Sequence, residues 1–253
     1  MLSGARRRLV LSGVALGAMV VGGGGTLAAA PGSAPAPEGL DHFKCYTTTK
    51  PAFKRRSVEI KDQFVSGKTI VLSVQTLCNP VSKDKGKILQ RSAHLVCYET
   101  RDSGIDFKEQ KVSVSNQFGK QELTVLRPAS LCVPSLKREG RQAPAPKPDP
   151  ASVVDHFRCY TVEPVETEKE VQLRDQFTAV RSRTSRLVRL CNPVSKNGER
   201  VRRPKAHLVC YAITDAERFS AVGVRVRNQF GLLGLRVLRP QTLCLPSLKE
   251  RIG

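Results

Sequence analysis

The feature that most constrains the fold of this 253-residue chain is a series of three motifs that occurs four times. Each occurrence runs His-x-x-Cys-Tyr, then Asx-Gln-Phe, then Leu-Cys-x-Pro-x-x-Lys, and its two cysteines are 33, 35, 32 or 34 residues apart. Every Cys, His and Tyr of the chain lies inside this template. The chain therefore contains two copies of a tandem, residues 41–137 and 155–249, and each copy consists of an A unit followed by a B unit.

The stretch between the copies is rich in proline. Gln142–Pro150 reads Gln-Ala-Pro-Ala-Pro-Lys-Pro-Asp-Pro, a composition that favours an extended spacer. We therefore predict a tether at 31–40, a first repeat domain at 41–138, a Pro-rich linker at 139–154 and a second repeat domain at 155–253.

Alternation of apolar and polar residues at period two predicts half-buried strands within each unit. This pattern occurs at 58–62, 112–116, 171–175 and 222–228. Further strands are predicted at Leu123–Leu126 and Leu235–Leu238, each stopped by an Arg-Pro pair because proline cannot donate into a ladder. The predicted fold class is all-β: two tandem small antiparallel β barrels or sandwiches, each built from two related halves and stapled by disulfides.

The Asx-Gln-Phe motif reads as a turn at the end of a strand. Its first residue is Asp62 or Asp175 in A units and Asn116 or Asn228 in B units. The property that Asp and Asn share is an acceptor oxygen for a nearby backbone N–H, so we predict a capping role for this residue.

The N-terminus has the features of a cleaved secretory signal at 1–30. Arg6, Arg7 and Arg8 precede an apolar stretch from Leu9 to Val21, and a small-residue site at 28–30 follows. The apolar stretch is shorter than the roughly 20 residues of a spanning helix, so we predict a secreted or periplasmic protein with no transmembrane segment after cleavage. Both general secretion and twin-arginine export fit the arginines.

Four cysteines per copy in an exported protein predict two disulfides per copy. The similar separation within every unit favours bonds inside units, although exchange of partners between the two halves is equally symmetric. The predicted pairs are Cys45–Cys78, Cys97–Cys132, Cys159–Cys191 and Cys210–Cys244.

No catalytic residue, metal site or cofactor is predicted. The His and Cys of each His-x-x-Cys are three apart on a strand and project to opposite faces, so they cannot bind one metal ion together. The His and Tyr four apart share a face, but residues that occur in every unit are expected to serve the fold. No nucleophile or phosphate-loop motif is present, so we predict that the protein is not an enzyme. The lysine after each Cys-x-Pro is expected to be a solvated charge.

Charge is the main indication of function. The chain carries 42 Lys and Arg against 22 Asp and Glu, and a stretch from Arg181 to Lys205 is especially basic. Such a stretch attracts acidic glycans or lipopolysaccharide. Nucleic acid is not expected, because the stretch lacks interleaved aromatic residues. A solvated basic face of a purely structural β repeat is the alternative, and the oligomeric state is left open. The candidate polyanion-binding residues are Arg181, Arg183, Arg186, Arg189, Arg200, Arg202, Arg203 and Lys205.

Together these motifs resemble an uncharacterised family of exported bacterial Cys-containing repeat domains of unknown function. The residues that carry the resemblance are His-Phe-x-Cys-Tyr at 42–46 and 156–160, with Leu-Cys-Asn-Pro at 77–80 and 190–193. Asn-Gln-Phe-Gly at 116–119 and 228–231 extends it over nearly the whole of both copies. The resemblance implies no activity, ligand or catalytic residue.

Overall fold

The computed structural model describes residues 37, 39–147 and 154–252. The predicted signal, most of the tether and part of the linker lie outside these residues. Within the described residues no helix is long and apolar enough to span a bilayer. Eleven strands are present: β1 (His42–Thr48), β2 (Arg56–Lys61), β3 (Ser66–Lys83), β4 (His94–Ser103), β5 (Gln110–Asn116), β6 (Gly119–Glu139), β7 (His156–Arg174), β8 (Ala179–Lys196), β9 (His207–Asp215), β10 (Val222–Asn228) and β11 (Gly231–Arg251).

The prediction of an antiparallel all-β fold is confirmed, but two strands run further than predicted. β6 and β11 continue through Pro128 and Pro240 instead of stopping at the Arg-Pro pairs. Both prolines lie where the strand pairing shifts register, next to an irregularity in the β6–β7 or β1–β11 ladder. An irregularity of this kind disrupts the ladder locally, and prolines inside sheets are largely confined to such places and to edge strands.

The eight strands that carry the cysteines form a closed ring of antiparallel pairings. In ring order they are β1, β3, β4, β6, β7, β8, β9 and β11, and β11 pairs back with β1. The β6–β7 and β11–β1 pairings each join the first copy to the second. Each copy therefore supplies half of the ring.

The structure corrects the expectation that each copy closes on itself as a separate barrel or sandwich. Residues 39–147 and 154–252 share one eleven-stranded sheet and lie within one compact unit. A single copy has only four ring strands, and a ring needs about eight before its interior is wide enough to be filled by side chains. A lone copy would also leave the edges of β1 and β6 without partners.

The two faces of the ring strands belong to different hydrophobic clusters. One face gathers all eight cysteines with Phe43, Leu95, Phe157 and Leu208. The opposite face carries the motif tyrosines into the larger cluster, where the valines and leucines of the hairpins cover them. This division follows from strand geometry, because the Cys and the Tyr are adjacent in sequence and must point to opposite faces.

The Asx-Gln-Phe turns hold the two copies together by reciprocal exchange. Asp175 of the second copy accepts a hydrogen bond of 2.8 Å from the Tyr46 hydroxyl of the first, and Asp62 accepts one of 2.8 Å from Tyr160. The phenylalanines follow the same rule, since Phe177 packs edge-on against Tyr46 and Phe64 against Tyr160. Each copy therefore completes the tyrosine core of the other.

Buried ion pairs also cross between the copies. The Lys44 ammonium lies 2.6 Å from the Asp215 carboxylate, and Arg158 pairs with Asp102 at the corresponding place in the other half. Both cations are fully buried. Removing one partner of such a pair would leave a buried charge uncompensated, which is strongly destabilising.

Candidate functional site

The disulfides agree with the pairing that the spacing predicted. All eight cysteines are bonded, and each bond joins two ring strands at directly opposed residues. The thiols are therefore not available as metal ligands. The bonds are Cys45–Cys78, Cys97–Cys132, Cys159–Cys191 and Cys210–Cys244.

The four disulfides lie close enough to form one layer of sulfur atoms. Between neighbouring bonds, Cys132 Sγ lies 3.6 Å from Cys159 Sγ, and Cys45 Sγ lies 3.9 Å from Cys244 Sγ. A cavity of about 30 Å³ lies beside them, and Arg189 is among its lining residues. The Arg189 Nη1 atom is buried without a hydrogen-bond partner, and burial lowers the pKa of this guanidinium. Arg189, which the sequence predicted to bind a polyanion, therefore points towards the sulfur layer.

The recurrent tyrosines and three of the four histidines are buried parts of the fold, and His42 is half-buried. His42 Nε2 lies 3.2 Å from Gln117 Oε1, and His156 Nε2 lies 3.1 Å from Gln229 Oε1, so a glutamine of the B-unit turn holds each A-unit histidine. Burial lowers the pKa of His42 to about 4, so the imidazole is neutral at pH 7.

The choice between Asp and Asn in the turns follows from the partner in the other copy. Asp62 Oδ2 accepts from Tyr160 at 2.8 Å and from the Asn192 amide at 3.1 Å. Asn116 Nδ2 instead donates to the Tyr211 hydroxyl at 3.0 Å and to Ser247 Oγ at 2.9 Å. The turn oxygen caps the backbone in both cases, as in the 2.8 Å bonds to Phe64 N and Phe118 N.

The predicted polyanion-binding residues do not form one patch. Arg181, Arg183 and Arg186 are exposed near the start of β8, where Arg183 pairs with Glu170 at 2.8 Å. Apart from Arg189, the others lie beyond the far end of β8, and about 3.3 Å of rise per residue makes this 18-residue strand up to about 60 Å long. There Arg200 and Arg202 line a cavity of about 590 Å³ together with the acids Asp155 and Glu199. Lys205 is exposed, and Arg203 is half-buried beside Gly39.

A larger and more uniformly basic cavity lies in the other half of the molecule. We call it the basic groove; it has a volume of about 750 Å³ and is lined by Lys85, Lys87, Arg91 and Arg174. Asp175 is the one acid among its described lining residues, and the two carboxylate oxygens of Asp175 accept from Tyr46, Asn79 and two backbone N–H groups. None of these cations is among the residues predicted from the sequence, and Arg174 reaches the groove from the other copy.

The β3–β4 loop that carries these cations is fixed in place by the second copy. Asp84 and Gln172 exchange two hydrogen bonds, Asp84 N to Gln172 O at 2.8 Å and Gln172 N to Asp84 Oδ1 at 2.9 Å. Lys85 then adopts a left-handed conformation with φ of 66°, whereas its counterpart in the second copy is Gly198 with φ of 80°. A lysine in this conformation costs about 1–2 kcal/mol, and residues held in such strain cluster at functional sites.

The lysines after each Cys-x-Pro are not the solvated charges that the sequence predicted. The side chain of Lys137 is 1% exposed, and its ammonium lies 3.8 Å from the centre of the Phe177 ring. Lys249 lies in the same way 4.0 Å from the Phe64 ring. Burial lowers the pKa of Lys137 to about 8 and that of Lys249 to about 7. In the B units, the motif lysine therefore covers the exchanged phenylalanine through a cation–π contact.

Two overlapping stretches, residues 26–134 and 94–246, match a family model described as a repeat of unknown function (DUF7450). The chain belongs to this DUF7450 family. The resemblance to an uncharacterised repeat family is thereby confirmed, and the DUF7450 stretches together include all eight cysteines of the sulfur layer. No curated protein and no solved structure matches the chain.

Proposed function

We propose that this DUF7450 protein is an exported, non-enzymatic binding module that holds acidic glycans or lipopolysaccharide in the basic groove. The observation that carries the proposal is the set of four groove cations, Lys85, Lys87, Arg91 and Arg174, which have no ion-pair partner among the described residues. Cations that are not neutralised by neighbouring acids create the positive potential that attracts a polyanion.

The proposed export rests on the N-terminal signal pattern and on the four disulfides. Disulfides form and persist in oxidising compartments, and they are rare in the cytosol. The proposed lack of catalysis rests on the burial of the histidines and tyrosines, which the fold itself uses.

The test is a titration of the chain without residues 1–30 against a heparin oligosaccharide at several salt concentrations. Counterion release makes the logarithm of affinity for a linear polyanion fall linearly with the logarithm of salt concentration. The triple variant Lys85→Gln/Lys87→Gln/Arg174→Gln is expected to bind more weakly, with a slope smaller by up to about 3. Arg200→Gln/Arg202→Gln/Lys205→Gln removes the same charge from the other half and is expected to have the smaller effect.

Lys85→Gly provides a variant that does not endanger the fold. It installs the residue found at Gly198 and relieves the left-handed lysine, so the free energy of unfolding is expected to rise while heparin affinity falls. A larger loss from the 200–205 triple variant would place binding at that loop instead. Absence of salt-dependent binding in the unmodified chain would favour the alternative, a purely structural β repeat.

A further inference from the structure

A buried cluster of one His, one Asn and one Lys occurs in each copy, and its hydrogen bonding differs between the two copies. In the second half, His207 Nδ1 lies 3.0 Å from Asn192 Oδ1, and the Lys249 ammonium donates to the same oxygen at 2.7 Å. The three side chains therefore satisfy one another.

The counterparts of these residues in the first half are His94, Asn79 and Lys137, at matching motif positions. They are equally buried, with His94 2% exposed and Asn79 fully buried. Yet His94 Nδ1, Asn79 Oδ1 and the Lys137 ammonium each lack a hydrogen-bond partner within the described part of the chain. The acid nearest to Lys137 is Glu139, and its carboxylate is 3.9 Å away. Buried donors without acceptors are rare in proteins and require an explanation.

The residues around the two clusters also differ in their hydrogen bonding. Around the second-copy cluster, the side chain of the turn residue Gln63 donates to the Pro204 carbonyl at 3.3 Å. The backbone carbonyl of Gln63 accepts from Arg251 at 2.7 Å. The counterparts of Gln63 and Pro204 are Gln176 and Arg91. Both line a cavity beside the first-copy cluster. The Asx-Gln-Phe turn and the loop before the B-unit histidine are therefore hydrogen-bonded to each other beside Lys249. Beside Lys137, the corresponding turn and loop line an opening.

This opening, which we call the Lys137 pocket, is about 390 Å³ and continues from the basic groove through the shared residues Arg91 and Gln176. His94 and Lys137 also line it, and Arg138 and Lys147 add two exposed cations. Among the residues that the structure describes, no aspartate or glutamate lines this pocket. An anion in this pocket would meet buried donors and exposed cations.

We propose that the Lys137 pocket binds a tetrahedral oxyanion, the phosphate or sulfate group of a polyanion that lies in the basic groove, and this assignment deepens the function proposed above. Lys137 and His94 donate to the anion from the buried side, and Arg91 and Arg138 face it from the rim. A tetrahedral oxyanion suits the pocket because it offers at least three acceptor oxygens, whereas a carboxylate offers two. Arginine forks match such groups in a bidentate manner.

The test uses small probes that cannot span the groove: inorganic phosphate, inorganic sulfate and glucose 1-phosphate, titrated by calorimetry into the chain without residues 1–30. Lys137→Met keeps the length of the side chain and removes the donor, and it is expected to lower phosphate affinity at least tenfold. The matched variant Lys249→Met is expected to bind normally. Comparison of glucose 1-phosphate with free phosphate separates a sugar phosphate from a free anion as the preferred ligand.

Exposed residues provide variants that leave the interior intact. Arg91→Gln/Arg138→Gln is expected to weaken phosphate binding several-fold, whereas Lys108→Gln/Lys120→Gln removes the same charge from exposed lysines that line none of these cavities.

The affinity for sulfate is expected to fall as pH rises through about 8, because Lys137 then loses its proton. Burial lowers this pKa while Glu139 and Asp175 raise it, and His94, with its pKa lowered to about 3, stays neutral over that range. Sulfate serves as the probe here because its own charge does not change.

The outcomes separate this assignment from the function on which it rests. Salt-dependent binding of heparin without Lys137-dependent binding of phosphate or sulfate would overturn the proposal for the Lys137 pocket and leave the proposal for the basic groove standing. Binding of phosphate that Lys137→Met abolishes, without retention of heparin, would support the pocket and overturn the groove. Equal binding by the unmodified chain and Lys137→Met would overturn the pocket.

Discussion

At the scale of single residues, the environment in the other copy decides what each repeated side chain does. Tyr46 and Tyr98 occupy the same motif position and are both fully buried. The Tyr46 hydroxyl donates to the carboxylate of Asp175 at 2.8 Å, whereas the Tyr98 hydroxyl accepts from the neutral amide of Asn228 at 2.8 Å. Hydrogen bonds to a charged group contribute about 1.5–3 kcal/mol and neutral ones about 0.5–1.5 kcal/mol.

Tyr46→Phe is therefore expected to lower the free energy of unfolding by about 2 kcal/mol and Tyr98→Phe by about 1 kcal/mol. Both variants remove a single hydroxyl oxygen and keep the ring packing, so each controls for the other. Denaturant unfolding at pH 7, followed by circular dichroism, measures the difference. Equal losses would show that the charge of the carboxylate adds nothing to the hydrogen bond.

At the scale of structural elements, the ring brings disulfides of neighbouring units into contact. Cys78 Sγ lies 4.0 Å from Cys97 Sγ, although the two atoms belong to different bonds. A thiolate released at either position would face the sulfur of the next disulfide, and thiol–disulfide exchange proceeds by attack of a thiolate on such a sulfur. The sulfur layer therefore has a second possible pairing, between units instead of within them.

We expect Cys132→Ala to scramble part of this layer. The variant leaves Cys97 as a free thiol, whose thiolate attacks Cys78 Sγ, forms a Cys78–Cys97 bond and releases Cys45 as the new thiolate. Non-reducing peptide mapping at pH 8 measures the new bond. The double variant Cys97→Ala/Cys132→Ala carries no free thiol and is expected to keep the Cys45–Cys78 bond. A Cys132→Ala protein that retains Cys45–Cys78 alone would contradict this expectation.

At the scale of the whole molecule, the two copies form one folding unit. The β1–β11 and β6–β7 ladders, the exchanged Asx-Gln-Phe turns and the buried pairs Lys44–Asp215 and Arg158–Asp102 all join one copy to the other. Separating the copies would expose the sulfur layer and both tyrosine cores. The covalent linker is therefore not what holds the copies together.

Cleavage of the linker is expected to leave the protein intact. Protease digestion between 142 and 153 should give two fragments on a denaturing gel, and gel filtration under native conditions should still show one particle of the original size. The buried side chain of Pro146 and the 2.9 Å bond from Arg225 to the Ala143 carbonyl limit which linker bonds a protease can reach. Elution of two separate particles of about half the mass would restore the interpretation as two independent domains.

The sequence by itself determined the local features of this protein. Period-two alternation predicted the strands, and the similar separation of the cysteines predicted disulfides within units. Both patterns lie within a single unit. The shared acceptor of Asp62 and Asn116 likewise predicted the turn cap. These features repeat in every unit, so four occurrences of each pattern supported every prediction.

Only the tertiary structure decided how the copies combine. Identical motifs let β6 pair with β1 of its own copy or with β7 of the next, and strand patterns do not distinguish the two. The closed ring favours exchange because four strands cannot enclose a filled interior. The basic groove and the Lys137 pocket depend on that exchange, since Arg174 and Gln176 reach them from the second copy while Lys85, Arg91 and Lys137 belong to the first. Sequence repeats fix what each unit contains, and the width of a closed ring determines which units become neighbours.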